Sequence, residues 1–408
     1  MSTSPSSLQP LPPVPDGHVG LVIPLDQNQL YLEIPIAQIQ LLCLKPLKYL
    51  IFLAWCILGQ EGSLAPDRPD HTPLQDLSGA LLDPSLYYYI PAPISEAEGD
   101  LDGLVDLEVI KIKSAVPSEI TTSRNDFREN ILERDPLCVF SGAPEDSCQA
   151  AHIIPYARGS EWFQTIIQNR RPYEENVDDL TDINDVRNGL LLGLLHARFD
   201  RRMAVILKTP NHCLDVGDVP PRPVRPTVVL DPSVSYPTDH RYSLQWLQDP
   251  GLFMSSSFPN NLDAAFNTHS QQPKPSPLLL HYNYGASALR QWGRRLEPLN
   301  THKYHTRPKA PQPAPMGPPK SNHNRTVAIH KRNAANNPNE PSTSNPTSCE
   351  QHRDWSEGIV QSEHHAPWDE HDLMFFILTN SPAAKEQRHK KEEEKRQSLE
   401  EWRQGIIV

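Results

Sequence analysis

Two short stretches decide how the middle of this sequence is interpreted: AHIIP at residues 151–155 and NGLLLGLLHARFD at residues 188–200. The first ends an apolar run that predicts a β-strand carrying His152. The second predicts a helix that begins at its asparagine, and helical residues four positions apart share one face. His196 and Asp200 would then offer an imidazole nitrogen and a carboxylate to one divalent metal ion, leaving coordination positions for phosphate and water.

Neither stretch identifies a function by itself. A histidine and an aspartate at this spacing form an ion pair more often than a metal site, and a histidine beside two isoleucines is commonly a hydrogen-bonded, partly buried residue. The order of the elements carries more information. The sequence predicts a strand over CVFSG at residues 138–142, a turn, a second strand over CQAAHIIPY at residues 148–156, and then the helix.

This order resembles the HNH nuclease family, whose members fold as a ββα-metal finger. AHIIP is similar to the first motif of the family, NGLLL to the second and HARFD to the third. Together with ERDPLCVFSG at residues 133–142, the pattern most resembles the AHI-type HNH subgroup of uncharacterised fungal proteins. The resemblance covers residues 121–215, and a weaker resemblance of the flanking segments extends it to residues 18–300.

The resemblance implies a metal-dependent endonuclease that hydrolyses phosphodiester bonds in nucleic acid, for which DNA is the expected substrate. His152 would be the general base, Asn188 would tether the loop and orient that base, and His196 and Asp200 would bind one divalent ion (Mg, Mn, Ni or Zn). One departure stands out. Many HNH enzymes carry a further metal ligand immediately before the base, where this sequence has Ala151.

Charge argues in both directions. The net charge is −12, and residues 174–185 alone hold six carboxylates, so no general basic field attracts nucleic acid. The arginines around the predicted site could contact phosphates or could pair with this acidic segment, and the sequence favours neither alternative. These candidates are Arg187, Arg198, Arg201 and Arg202. A catalytically degenerate HNH fold that binds nucleic acid or protein is therefore the alternative function.

The six cysteines are scattered without a CxxC pair, so the sequence predicts neither a disulfide framework nor a zinc-stapled HNH domain. Cys138 and Cys148 are interpreted as core residues. The N-terminus has no basic region followed by an apolar core, so no signal peptide is predicted. The apolar run at residues 39–58 is interrupted by Lys45, Pro46 and Lys48, which favours a buried core helix over a membrane span. These observations predict an intracellular protein of the nucleus or cytoplasm, and they leave the oligomeric state open.

The predicted fold class is α+β, with a ββα-metal HNH module embedded in a mixed α/β core and a long disordered C-terminal tail. Flanking elements include a hairpin over residues 18–36, a helix from Pro46, a strand over SLYYYIPA and a late helix over LLLHYNYGASALRQWGRR. The predicted organisation is a disordered segment at 1–16, a strand and helix region at 17–120, the HNH domain at 121–215, closing elements at 216–300 and a disordered tail at 301–408 with a solvated helix at 384–403.

Overall fold

The structure is a computed structural model that divides the chain into two units, Met1–Pro308 and Lys309–Val408. The residues it describes all lie in the first unit. They are residues 11–25, 28–66, 72–81, 85–92, 103–107, 121–170, 177–223, 234–235, 239–267 and 269–301. The predicted tail and its helix at residues 384–403 lie outside this set.

A five-stranded sheet forms the N-terminal part of the fold. Strands β1 (His18–Leu25) and β2 (Asn28–Pro35) form the predicted hairpin, and β4 (Ser85–Pro91) coincides with the predicted SLYYYIPA strand. Strand β4 lies parallel to β1 and antiparallel to β3 (Gly62–Pro66). The sheet is completed by β12 (Gly293–Arg295), so its strand order is β12-β2-β1-β4-β3.

The apolar run after Pro46 forms a buried core helix, as predicted. After the short helix α1 (Ile36–Leu42), helix α2 (Pro46–Leu58) begins with proline at its first position, where the missing backbone donor costs nothing. It ends at Gly59, whose φ of 72° is the left-handed conformation that favours glycine at this position. No single helix in the described part of the chain is long and apolar enough to span a membrane, although α1 and α2, bent by 92°, pass this test as a pair.

Helix α7 (Pro277–Trp292) is the predicted late helix, and it packs against α2 with almost all of its side chains buried. The two backbones approach closely at Gly285, where a Cβ atom would overlap the carbonyl group of Cys56. A buried hydrogen-bond chain reinforces the contact. The hydroxyl groups of Tyr49 and Tyr284 lie 2.7 Å apart, and the Tyr284 hydroxyl donates to Oε1 of Gln245 at 2.6 Å.

A second sheet contacts α7 through its strand β7. Its strands β7 (Ala204–Thr209), β9 (Arg241–Trp246) and β10 (Leu262–Asp263) are antiparallel, in the order β10-β9-β7. Arg241 donates to both carboxylate oxygens of Asp263 at 3.0 Å inside this sheet. The remaining described elements of this region are the pair β8 (Val234–Ser235) and β11 (Phe266–Asn267), helix α6 (Leu252–Ser257) and helix α8 (Glu297–Thr301).

The region with the predicted motifs follows β4 and precedes β7 along the chain. Helix α3 (Thr121–Arg134) is followed by β5 (Gln149–His152), helix α4 (Gly159–Arg170), β6 (Gly189–Leu192) and the short helix α5 (His196–Asp200). Strands β5 and β6 pair antiparallel, with His152 opposite Gly189.

Two secondary-structure predictions in this region are wrong. CVFSG is not a strand: the Gly142 amide donates to the Cys138 carbonyl at 2.8 Å, so the chain turns there. The run after Asn188 is not a continuous helix either, because its first part is strand β6, whose four residues are all buried. A short apolar run of this length has no periodicity that separates a buried strand from a buried helix.

The described residues therefore form a mixed α/β fold with several sheets and helices, in agreement with the coarse fold prediction. Five cysteines lie in the described part of the chain, and each is a free thiol. Cys138 and Cys148 are both buried, as expected for core residues.

Candidate active site

His152 ends strand β5 with its ring held from several directions. The ring stacks on Phe127 of α3, with centroids 3.8 Å apart and an angle of 14° between the planes. Tyr156 lies against it with a centroid distance of 5.6 Å, and Nε2 is 3.2 Å from Oδ1 of Asn184. The residue is intermediate between buried and exposed. The stacking on Phe127 and the polar contact at one nitrogen thus restrict the orientation of the ring of a partly exposed histidine.

The stacking depends on a glycine across the strand pair. Gly189 is the register partner of His152, and a Cβ atom there would overlap the Ile131 side chain and the Phe127 ring. Phe127 can therefore lie under His152 because position 189 has no side chain. Nothing about Gly189 in the sequence alone singles it out, since its role depends on the pairing of β5 with β6.

Asn188 is fully buried and holds two loops together. Its Oδ1 accepts from the Ile154 amide at 2.8 Å, while its Nδ2 donates to the Ile154 carbonyl at 3.1 Å and to the Ile183 carbonyl at 2.8 Å. Its own carbonyl accepts from the Ile153 amide at 2.9 Å. Asn188 thus bonds to the backbone that follows His152, whereas the side chain that reaches the His152 ring is Asn184.

Two arginines of α3 fasten the beginnings of both strands. Arg128 donates to the carbonyl of Cys148, just before β5, at 3.1 Å. Arg134 is almost completely buried and donates to the carbonyls of Val186 and Gly189 at 2.9 and 2.8 Å. Its charge is balanced by Asp135, 2.6 Å from Nε. Helix α3 therefore fixes the site from outside the motif residues.

His196 and Asp200 occupy the first and last positions of α5. The Nδ1 atom of His196 lies 3.6 Å from Oδ2 of Asp200, and their side chains are 24% and 51% exposed. The helix is shorter than predicted, but the four-residue spacing still brings both groups to one face. The pair is accessible to solvent and to a ligand.

The donor set of this pair fits a divalent ion that keeps much of its hydration. One imidazole and one carboxylate supply two ligands, and Mg²⁺ is commonly bound through one or two carboxylates with waters and phosphates. No group of three or more His, Cys, Asp or Glu residues that could hold a metal occurs in the described part of the chain. Ala151, where many HNH enzymes have a further ligand, is buried and unable to coordinate a metal.

The four candidate phosphate-binding arginines differ in their surroundings. Arg187 forms ion pairs with Asp179 and Asp185 at 2.7 Å each, and its hydrogen bonds to Asp185 raise its pKa. Arg198 is buried, donates to the Met203 sulfur at 3.6 Å, and has its pKa lowered by burial. Arg201, at the end of α5, is partly exposed. For Arg187 the structure thus records pairing with the acidic segment, one of the two alternatives that the sequence leaves open.

Arg202 is buried and engaged within the protein. Its Nη1 donates to Oδ1 of Asn283 in α7 and lies 3.4 Å from the Ile153 carbonyl. Its carbonyl accepts from Nε2 of Gln291 at 3.0 Å. Its φ of 62° lies in the left-handed region, which is strained for any residue other than glycine. These contacts join α7 to the segment that carries His152.

Several contributors to this arrangement escape sequence reasoning. In the sequence, Phe127 has the pattern of an ordinary apolar position of an amphipathic helix, and Asn184 is one polar residue inside an acidic segment, so neither is marked as a contact of His152. Arg134 would be assigned to the charged surface of α3, although it is buried. The signal that could have found Arg134 is the neighbouring Asp135, since an adjacent opposite charge allows burial of an arginine.

Comparison with known proteins supports the family assignment of this region. Residues 138–207 match the family model described as HNH endonuclease. No curated protein and no solved structure matches the chain significantly. The matched residues include β5, β6, α5 and most of β7, and they support an HNH nuclease family domain in this part of the chain. A nuclease-type function, in general terms, follows from that domain.

Proposed function

We propose that this protein is a metal-dependent endonuclease that hydrolyses phosphodiester bonds in nucleic acid, with DNA as the preferred substrate. The observation that carries the proposal is the partly exposed ring of His152, held by Phe127 and Asn184 within the segment that matches the HNH family. A fixed, solvent-accessible imidazole is suited to accept a proton from an attacking water.

Nε2 of His152 lies 3.2 Å from Oδ1 of Asn184. We propose the tautomer in which Nε2 donates to this oxygen, so that the basic lone pair lies on Nδ1. In the proposed reaction Nδ1 accepts the proton of water, and the resulting nucleophile attacks phosphorus as the bond to the leaving oxygen breaks. The hydrogen bonds of Asn188 to the backbone after His152 support the imidazole in this position.

His196 and Asp200 would hold the divalent ion, which stabilises the negative charge that develops on the phosphate when it is bound. Their side chains are exposed enough to reach both ion and substrate. Arg201 would contact an adjacent phosphate, because it is partly exposed and lies next to Asp200. The ion itself is proposed to be Mg, Mn, Ni or Zn.

A second function has specific support. His196 and Asp200 are only two candidate metal ligands, and the described residues contain no group of three or more. Ala151 is buried, and Arg187 is paired with the acidic segment. These observations suit an HNH fold that binds nucleic acid or protein without turnover. The binding function would replace the nuclease function if the purified protein cleaves no nucleic acid.

Plasmid nicking by the full chain with each of Mg²⁺, Mn²⁺, Ni²⁺ and Zn²⁺ tests the proposal. We expect cleavage with at least one ion, and we expect His152→Ala to lower the rate about 10²- to 10⁴-fold, the usual effect of losing a general base. His212→Ala, at a more exposed histidine outside the matched segment, is the control and should nick as wild type does. Equal rates for wild type and His152→Ala would reject His152 as the base.

Metal binding is tested separately by calorimetry. Asp200→Ala should weaken binding of the ion that supports cleavage while leaving the melting temperature unchanged, since Asp200 is half exposed. His152→Ala should bind the ion as wild type does. Asp239→Ala, at an exposed carboxylate far along the chain, serves as the charge-matched control. An unchanged affinity in Asp200→Ala would remove Asp200 from the set of ligands.

A further inference from the structure

Arg134 and Arg202 are both buried beside the candidate site, and of these two only Arg134 has its charge balanced by a bonded carboxylate. Arg134 forms an ion pair with Asp135. Arg202, only 4% exposed, forms no ion pair with any carboxylate of the described residues, and its Nε has no hydrogen-bond partner among them. The guanidinium group of Arg202 remains charged near neutral pH, because arginine is not deprotonated in proteins. A buried cation without a bonded counter-ion is costly, and an apolar side chain of similar volume is often as stable or more stable.

The contacts of Arg202 show what its guanidinium group holds. Nη1 lies 3.4 Å from the carbonyl of Ile153, the residue that follows His152, and donates to Oδ1 of Asn283. Asn283 is itself buried in α7, where its Oδ1 also lies 3.3 Å from the Ser287 hydroxyl. A path of polar contacts therefore leads from α7 through Arg202 to the backbone beside the candidate base.

The family-matched segment does not contain the far end of this path. Residues 138–207 include Arg202 and Ile153, whereas Asn283 and Gln291 belong to α7. Gln291 donates to the Arg202 carbonyl at 3.0 Å, and the Ser276 amide donates to the Arg187 carbonyl at 3.0 Å. Helix α7 and its N-cap Ser276 thus contact the segment at the backbone of Arg187 and Arg202, and the Arg202 side chain in turn contacts the carbonyl of Ile153, next to His152.

We propose that Arg202 is a positioning residue, which fixes the end of strand β5 and hence the His152 imidazole by bridging the Ile153 carbonyl to Asn283 of α7. This inference rests on the proposed function for its catalytic consequence, but the geometry it describes can be measured without any turnover. This role would also explain why a charged side chain is buried at position 202, although its burial does not favour stability. Helix α7 is then part of the working site, although it lies outside the HNH segment.

Arg202→Met is the first test, because methionine keeps most of the volume and meets the same φ strain without the guanidinium. We expect the melting temperature to be equal or higher. We expect the ring nitrogen signals of His152, observed by ¹H–¹⁵N correlation on histidine-labelled full chain and assigned with His152→Gln, to shift. Nicking should fall about 10²-fold, as for a small displacement of a catalytic group.

Asn283→Leu is the second test, and it removes the partner in α7 while leaving Arg202 in place. The same His152 signals should shift in this variant. Arg290→Met is the matched control, because it removes an exposed positive charge from α7 near Arg202 and should leave the His152 signals as in wild type.

The outcomes separate the inference from the proposed nuclease function. Folded Arg202→Met with unchanged His152 signals overturns the positioning role. If Arg202→Met does not fold, Asn283→Leu decides: shifted His152 signals support the inference and unchanged signals overturn it. A wild-type protein that never nicks plasmid refutes the nuclease proposal alone, since the ring signals still report whether Arg202 positions His152.

Discussion

Two histidines both contact aromatic rings but differ in their exposure to solvent. One lies in the HNH segment and the other in the core around α2 and α7. His152 stacks on Phe127 and is partly exposed. His281 in α7 lies against Phe52 and Trp55, with ring centroids 5.8 and 4.9 Å away, and is buried. Burial lowers the pKa of His281 to about 3. Aromatic contact therefore does not distinguish the candidate base from a core histidine, and the two residues differ in their exposure to solvent.

The two regions also differ in what holds them together. Around α2 and α7, apolar side chains and tyrosine hydroxyls meet inside one core. The β5–β6 pair has only four residues in each strand, and arginines of α3 bind the backbone at both ends of it. The β5–β6 pair is thus bound by side chains from outside the family-matched residues, while the α2–α7 contact consists mainly of apolar packing.

The largest effect is expected at the contact of α2 with α7. In Gly285→Ala the added methyl group would overlap the carbonyl of Cys56, which is backbone and cannot move aside. We expect the free energy of unfolding to fall by about 3 kcal/mol, as for severe overpacking. Thermal and urea unfolding measure this change. Gly217→Ala is the control, since a Cβ there meets nothing within 4 Å; equal stability of the two variants would show that the helices can separate at no cost.

A smaller effect is expected from acid at His281. The folded protein keeps this histidine neutral down to a pKa of about 3, whereas the unfolded chain takes up the proton near pH 6.5. Stability is therefore lost as pH falls below 6.5, by about 1.4 kcal/mol per pH unit, or about 2 kcal/mol at pH 5.

The variant His281→Gln should remove this part of the pH dependence. Urea unfolding at pH 7.5 and pH 5 for wild type and variant measures the difference, and His240→Gln, at a partly exposed histidine, is the control. If wild type and His281→Gln lose the same stability between the two pH values, His281 is not held neutral by burial.

The smallest effect on stability, with a larger effect on the site, is expected at Gly189. The methyl group of Gly189→Ala would overlap the ends of Ile131 and Phe127, which can move by rotation, so we expect a loss of about 1 kcal/mol. Because Phe127 would shift, the His152 ring signals should change and nicking should fall. Gly193→Ala is the control, since its Cβ would meet neighbours at ordinary distances of 3.6 Å or more. Unchanged His152 signals in Gly189→Ala would show that the stacking does not depend on this glycine.

The sequence predicted those parts of the fold that local patterns specify. The hairpin of β1 and β2, helix α2 and helix α7 follow from alternation, from proline at the first helical position and from long apolar stretches. Strand β6 was missed because four buried apolar residues have no distinguishing period, and because its partner β5 lies far away in the chain. The residues near β6 in the sequence therefore do not indicate that it pairs with β5.

The candidate site divides in the same way. The motif residues could be found because their order along the chain resembles a family, and the i,i+4 spacing of His196 and Asp200 survives in a much shorter helix. The supporting residues could not be found. Asn184, Gly189 and Arg202 acquire their contacts only when α3, β5 and α7 converge, and a single sequence does not show which distant residues will meet.

The order of the elements along the chain has a consequence for synthesis. Arg202 leaves the ribosome about 75 residues before α7 begins at Pro277, which corresponds to roughly 4–15 s at ordinary rates of translation. During this interval the nascent HNH segment has no Asn283 to receive the Arg202 guanidinium. A nascent or prematurely terminated chain would thus present the family motif without the contact between Arg202 and Asn283, and the candidate site would be complete only after α7 has been synthesised.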